Sequence, residues 1–269
     1  MTIGPSLRAI LDDGDESVSL DRAAFDLASL EYPGLDHSYW LQRLDEHAAY
    51  VHKRCEGGDG ADFLQGLHSY LVEDQGFHGN REDYYNPRNS CLNFVLEERT
   101  GIPISLSLVY LEIGRRLGRD VRGISLPGHF LVEFRQGGFS VYLDPYHGGR
   151  FLTREDCIQV AAQAAGVGLT AEDAVFDGAS KRQILLRMLN NLRGIYLEKR
   201  DLDRALTVVD LLVTGDRQTG AWYKQRAAIR IDLGDWDRAA SDLERYLELA
   251  PFAADRAQVE HYVARLKKA

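Results

Sequence analysis

The last third of the chain repeats itself. "YLEKRDLDRALTVVDLLV" and "RIDLGDWDRAASDLERYL" superimpose at a shift of 34 residues, so that Tyr196 falls on Arg230, Arg200 on Gly234, Ala205 on Ala239, Val209 on Leu243 and Leu212 on Tyr246. A period of this length, with alanine held at one place in both copies, specifies pairs of antiparallel helices stacked in a row. Pro251 ends the second copy, and "ADRAQVEHYVARLKKA" reads as one more helix. Two copies and a helix bury little of their own faces, so the sequence predicts a tail that packs on the preceding domain.

The residues before the repeats change period. "DRAAFDLASLEYP" has apolar residues at helical spacing, an aspartate cap at Asp21 and a stop before Pro33. "SYWLQRLDEHAAYVHKRC" is a second helix, broken by "GGDGAD", and "ADFLQGLHSYLVEDQGF" a third, ending near Gly76. A turn-rich loop, "HGNREDYYNPRNS", leads to the short helix "SCLNFVLEERT", capped by Asn89 or Ser90 and closed by Gly101. Pro103 suits the first turn of a central helix, "ISLSLVYLEIGRRLG". Three β-like runs come next, "VRGISL", "HFLVEF" and "FSVYLDP", with "RQGG" as a hairpin turn between the last two. "TREDCIQVAAQAAG" returns to helix, with Thr153 as cap and Asp156 in the capping-box position. Helices followed by a small antiparallel sheet make an α+β core, and the repeats make an all-α tail. We divide the chain into a helical lead-in at 1–30, a core at 31–175 and a tail at 176–269.

Composition removes several classes of function. Apolar residues make up 45% of the chain, enough for a real core. The formal charge of −9 disfavours nucleic acid and anionic membranes as partners. It is uneven: 16 basic and 13 acidic residues from Arg182 onward give +3, against −12 for the rest. No apolar run reaches the roughly 18 residues of a membrane span. The acidic N-terminus lacks the basic-then-apolar pattern of a signal peptide, so a cytoplasmic location is expected. Cys55, Cys91 and Cys157 are widely spaced without a CxxC pair, which fits reduced thiols and not a disulfide framework.

Candidate chemistry lies between residues 103 and 147. His129 and Asp144 sit on consecutive β-like runs, as a base and its orienting acid must. A nucleophile belongs at a helix start, where amide donors and positive potential gather. Ser105 and Ser107 stand there, and no cysteine does. Against this, Ser105 reads equally as a first-turn serine bonding the helix terminus, and Ser107 as a small residue that permits close packing. Cys91 is an alternative nucleophile, but flanked by Leu92 and Phe94 it reads as packing, as does Cys157. Cys55, beside a glycine-rich stretch, reads as exposed. His129, Asp144 and His147 form a possible zinc set, yet a turn histidine can point anywhere and no HExxH pair supports it, so neither metal nor cofactor is called for. Tyr84 and Tyr85 either line a groove or close the core over the short helix, and the second reading is preferred.

Taken in order, "YYNPRNSCLNFVLEERTGIPISLSLVYLEIGRRLG", "GISLPGHFLVEF" and "LDPYHGGRFLTRED" resemble the bacterial SirB family, and the 34-residue period resembles the tetratricopeptide repeat. The resemblance covers roughly residues 35 to 265. It implies a papain-like, transglutaminase-type core in which a cysteine at the central helix start is followed by a histidine and an aspartate on strands. His129 and Asp144 match the latter two, and the cysteine position falls near Ser105 or Ser107. A hydroxyl gives up its proton far less readily than a thiol of pKa about 8.5. The departure therefore favours a non-catalytic or weakly active protein that binds a protein or peptide through its groove and repeat tail. The alternative is a hydrolase or acyltransferase on peptide or amide bonds, working through a Ser–His–Asp triad.

Overall fold

The computed structural model describes residues 4–55, 60–170 and 176–267. Part of the glycine-rich break in "GGDGAD" lies outside the described residues. The chain forms two compact units, one of Glu16–Ile184 with the stretch up to Arg8, the other of Leu185–Ala269 with Ala9–Asp15.

In the first unit the helices are α1 (Pro5–Arg8), α2 (Leu20–Ala28), α3 (His37–Arg54), α4 (Gly60–His68), α5 (Leu92–Glu98), α6 (Pro103–Arg116) and α7 (Arg154–Ala165). A two-residue parallel pair joins β1 (His78–Gly79) to β2 (Thr100–Gly101). The main sheet is antiparallel in chain order: β3 (Asp120–Leu126), β4 (His129–Gln136), β5 (Phe139–Asp144) and β6 (Arg150–Leu152). The first three strands are those expected; β6, only three residues long, carries no readable pattern. Gly137 and Gly138 turn the β4–β5 hairpin at φ 57° and 82°, values that match the right-handed strand twist.

Helix α6 is the axis of this unit. Every residue from Pro103 to Gly114 is buried. Gly114 allows the closest approach to β3, since a Cβ there would stand 2.4 Å from Val121. Strand β4 is buried from His129 to Phe134, because α6 covers one face and α7 the other. A strand covered on both faces carries a near-continuous apolar run, hence "HFLVEF". Ile124, Leu126, Leu131, Tyr142, Cys157 and Ala161 fill the α7 side.

Four local expectations are corrected. Asp21 does not cap α2; its carboxylate turns inward, 2.6 Å from Arg116 Nη2 and 3.1 Å from Arg115 Nη2, because two guanidiniums attract it more strongly than a helix end. Neither Asn89 nor Ser90 caps α5. They belong to a preceding 3₁₀ turn, and the Asn89 amide instead donates to the carbonyls of Asp83 and Tyr84. Arg99, left-handed at φ 57°, ends α5, while Gly101 pairs in β2. Cys55 is buried, its thiol turned toward the Asp62 and Phe63 carbonyls. The Thr153–Asp156 capping box forms as expected.

The second unit takes up α8 (Lys181–Glu198) from Leu185 and continues with α9 (Leu202–Gly215), α10 (Gly220–Asp232), α11 (Trp236–Leu249) and α12 (Arg256–Leu266). The 34-residue period recurs in its backbone. Arg200 and Gly234 both adopt positive φ, Asp201 and Asp235 cap α9 and α11 through the same side-chain acceptance, and Ala205 and Ala239 are both fully buried. Asp242, buried on α11, is held by Arg226 and Arg230 of α10. No helix among the described residues is long and apolar enough to cross a membrane.

Candidate functional site

A cleft of about 710 Å³ opens in the first unit between the start of α6, the start of β4 and the turn after β5. Pro103, His129, Tyr146 and His147 line it, with Tyr84 and Tyr85 on the rim. Tyr85 is 64% exposed, so the two tyrosines build the groove and do not close the core, correcting the preferred reading.

His129 is placed by its neighbour. Gly128 has φ 68°, and a Cβ there would lie 2.5 Å from the Ala165 backbone, so glycine is what lets β4 begin against the end of α7. The pairing Val132↔Leu143 then sets Asp144 diagonal to His129 across the hairpin. His129 Nε2 stands 3.0 Å from Asp144 Oδ1, with both side chains buried. Asp144 also organises the turn after β5. It caps Pro145–His147 by accepting from the His147 amide at 3.2 Å, and its Oδ2 accepts from His147 Nδ1 at 2.6 Å. Arg150 Nη2 lies 3.9 Å away. Burial pushes the Asp144 carboxyl up, but hydrogen bonds and charge from His129 and His147 outweigh it and hold the group well below the usual carboxylate range. The Tyr110 hydroxyl on α6 is pushed up by burial and by the Asp144 charge.

The serines are placed differently. Ser105 is fully buried; its Oγ donates to the Asn89 carbonyl at 2.5 Å and accepts from the Ile102 amide at 3.2 Å. The hydroxyl thus ties the α6 terminus to the 3₁₀ turn. Ser107, also fully buried, donates to the Pro103 carbonyl one turn back at 2.8 Å. Pro103 is the α6 residue that faces the cleft together with His129. The cysteines do not substitute. Cys91 is buried and its thiol pushed far up by burial, and burial with the charges of Asp156 and Asp144 raises Cys157 to about 12.

Sequence reasoning leaves His147 undirected, although a signal for it is present. In "DPYH" an aspartate followed by proline starts a capped turn, and the i+3 position of such a turn comes back to the aspartate. His129, Asp144 and His147 bring one ligand atom each to within 4.8 Å of one another.

The fold is that of a transglutaminase-like core with a helical-repeat region: residues 38–190 match the transglutaminase-like superfamily and 192–264 match the tetratricopeptide repeat. The chain belongs to the transglutaminase-like superfamily, in the group of bacterial proteins that carry the name UPF0162. It is 34% identical to a UPF0162 protein of Xylella fastidiosa (strain Temecula1) over 88% of this chain and 86% of that one. It is 29% identical to a UPF0162 protein of Pseudomonas aeruginosa over 87% and 86%. It is also 36% identical to human F-box only protein 21, over 47% of this chain and 21% of that much longer one.

Proposed function

We propose that the chain is a non-catalytic or weakly active transglutaminase-like protein of the SirB type, working in the cytoplasm, that holds an extended peptide in the cleft beside His129 and a protein partner on its repeat unit. One observation carries this reading. His129 and Asp144 meet beside the cleft, whereas both candidate nucleophiles, Ser105 and Ser107, direct their hydroxyl protons at backbone carbonyls. A serine hydrolase needs that proton directed at the histidine. The cleft itself suits a chain segment: aromatic rings at the rim offer rigid contact area at low entropic cost, and buried polar groups at the base fix direction. Stacked helical repeats present the extended surfaces on which proteins dock.

Peptide-display selection against the full chain tests the binding role. Selected peptides should lose at least about tenfold in affinity on Tyr85→Ala or Tyr146→Ala, a loss of the size expected for an aromatic anchor. Equal affinity in both variants would remove the cleft from the reading. Fluorophosphonate should leave the wild-type serines unlabelled; labelling that disappears in His129→Ala would establish the hydrolase instead.

A further inference from the structure

A triad needs one imidazole on its acid, and Asp144 has two. His129 approaches Oδ1 and His147 approaches Oδ2, from opposite ends of one buried carboxylate. His147 has no place in a nucleophile–base–acid relay. It faces the cleft and is about one-third exposed.

We propose that His129, Asp144 and His147 form a binding site for a divalent transition ion of the zinc class, with its remaining coordination positions open to the cleft. Two imidazoles and one carboxylate are the borderline nitrogen–oxygen donor set that such ions take, and calcium or magnesium would call for more oxygen. Bonds of about 2.0–2.2 Å require donors about 3.0–3.5 Å apart. The His129–Asp144 separation, 3.0 Å, is at the lower edge of that range, and the His147–Asp144 separation, 2.6 Å, has to open by roughly 0.4–0.9 Å. The two imidazole donors lie within 4.8 Å of each other and would close the remaining gap by rotation of the more exposed His147 ring. The donors are held before any ion arrives. The His147 amide donates to Asp144 Oδ1, the Gly149 amide donates to the Asp144 carbonyl at 2.8 Å, and the Tyr146 ring stands edge-on to both imidazoles. Arg150, the one cation within 4 Å of Asp144 among the described residues apart from the two histidines, is half exposed and stands 3.9 Å away. Three protein donors leave at least one position for water or for a carboxylate or carbonyl of a cleft ligand. The site does not depend on the peptide-binding reading.

Zinc chloride titrated into the chelator-stripped full chain, by calorimetry or against a chromophoric chelator, tests it. One ion per chain is expected. His147→Ala and His147→Gln, both at a turn position about one-third exposed, should each weaken binding at least about 100-fold, the upper range for outer-shell changes and a lower bound for a direct ligand. His52→Ala, which removes an exposed histidine on α3, should leave binding unchanged. Cobalt(II) should give visible bands of a nitrogen–oxygen site without a thiolate charge-transfer band. Absence of stoichiometric binding in the wild type, binding that survives both His147 variants, or a thiolate band would each overturn the proposal. Peptide affinity measured with chelator present reports on the cleft separately, so the two readings fail independently.

Discussion

Two elements that border the cleft carry buried polar side chains, and those side chains behave differently. On the sheet side, His129 and His147 line the cleft and both turn a ring nitrogen toward the buried Asp144 carboxylate. On α6, whose Pro103 lines the cleft, Ser105 and Ser107 are fully buried outside the lining and turn their hydroxyls into the backbone. The first arrangement keeps a carboxylate charged within a protein interior and keeps two imidazoles directed. The second stabilises a helix terminus and offers nothing to a ligand. A buried polar residue can thus serve the backbone alone when each of its polar atoms is satisfied locally.

The contrast can be broken by mutation, and the largest effect belongs to Asp144. Asp144→Ala removes the common partner of two imidazoles and should cost about 3 kcal/mol of unfolding free energy in urea; a cost below that of either serine variant would reverse the comparison. Next comes an engineered thiol. Pro103→Cys places sulfur on the face of α6 that lines the cleft, where the helix terminus and His129 favour the thiolate. At pH 6 it should react with iodoacetamide about 100-fold faster than Ser105→Cys or Ser107→Cys, and His129→Ala should erase the advantage. Equal rates at all three positions would mean that the cleft-facing position of α6 offers a nucleophile no more than its buried positions do.

Smaller effects sharpen the picture. Ser105→Ala leaves the buried Asn89 carbonyl and Ile102 amide without their partner and should cost about 1–2 kcal/mol, with no change in peptide affinity. Ser107→Ala removes a single bond to a carbonyl already inside the helix and should cost under about 1 kcal/mol. The last test uses a buried carboxylate away from the cleft. Burial raises Asp21, but hydrogen bonds from Ser19 and Arg116 and the charges of Arg116 and Arg115 outweigh it and leave the group below its ordinary value. A depressed folded-state pKa means stability that is complete above the unfolded value and is lost as pH falls through the folded one. Unfolding free energy should therefore decline below about pH 4. Asp21→Asn should flatten that part of the slope; an unchanged slope would show that Asp21 is not held by the arginines in solution.

Much of the site is readable because it is local. His129 and Asp144 stand on strands joined by a two-glycine turn, and such a turn fixes register, so their meeting follows from about fifteen residues of sequence. The Thr153 box and the caps at Asp201 and Asp235 are local in the same way. The features that escape are set by distant partners. Asp21 has the spacing of a cap, but Arg116, 95 residues away, holds its carboxylate. Tyr84 and Tyr85 have the character of core residues, and only the placement of α6 and the β5 turn leaves a cleft beside them.

The sequence by itself determined the longer helices and three of the strands, the α+β core, the helical period of the repeats and the pairing of one histidine with one aspartate. Hydrophobic period, turn residues and caps act over a few residues, so their outcome can be read along the chain. The tertiary structure decided the direction of each polar side chain. Ser105 could have faced a histidine or a carbonyl, and packing of α6 against the 3₁₀ turn put the Asn89 carbonyl nearest. His147 could have pointed to solvent, and burial of Asp144 made that carboxylate its strongest available partner.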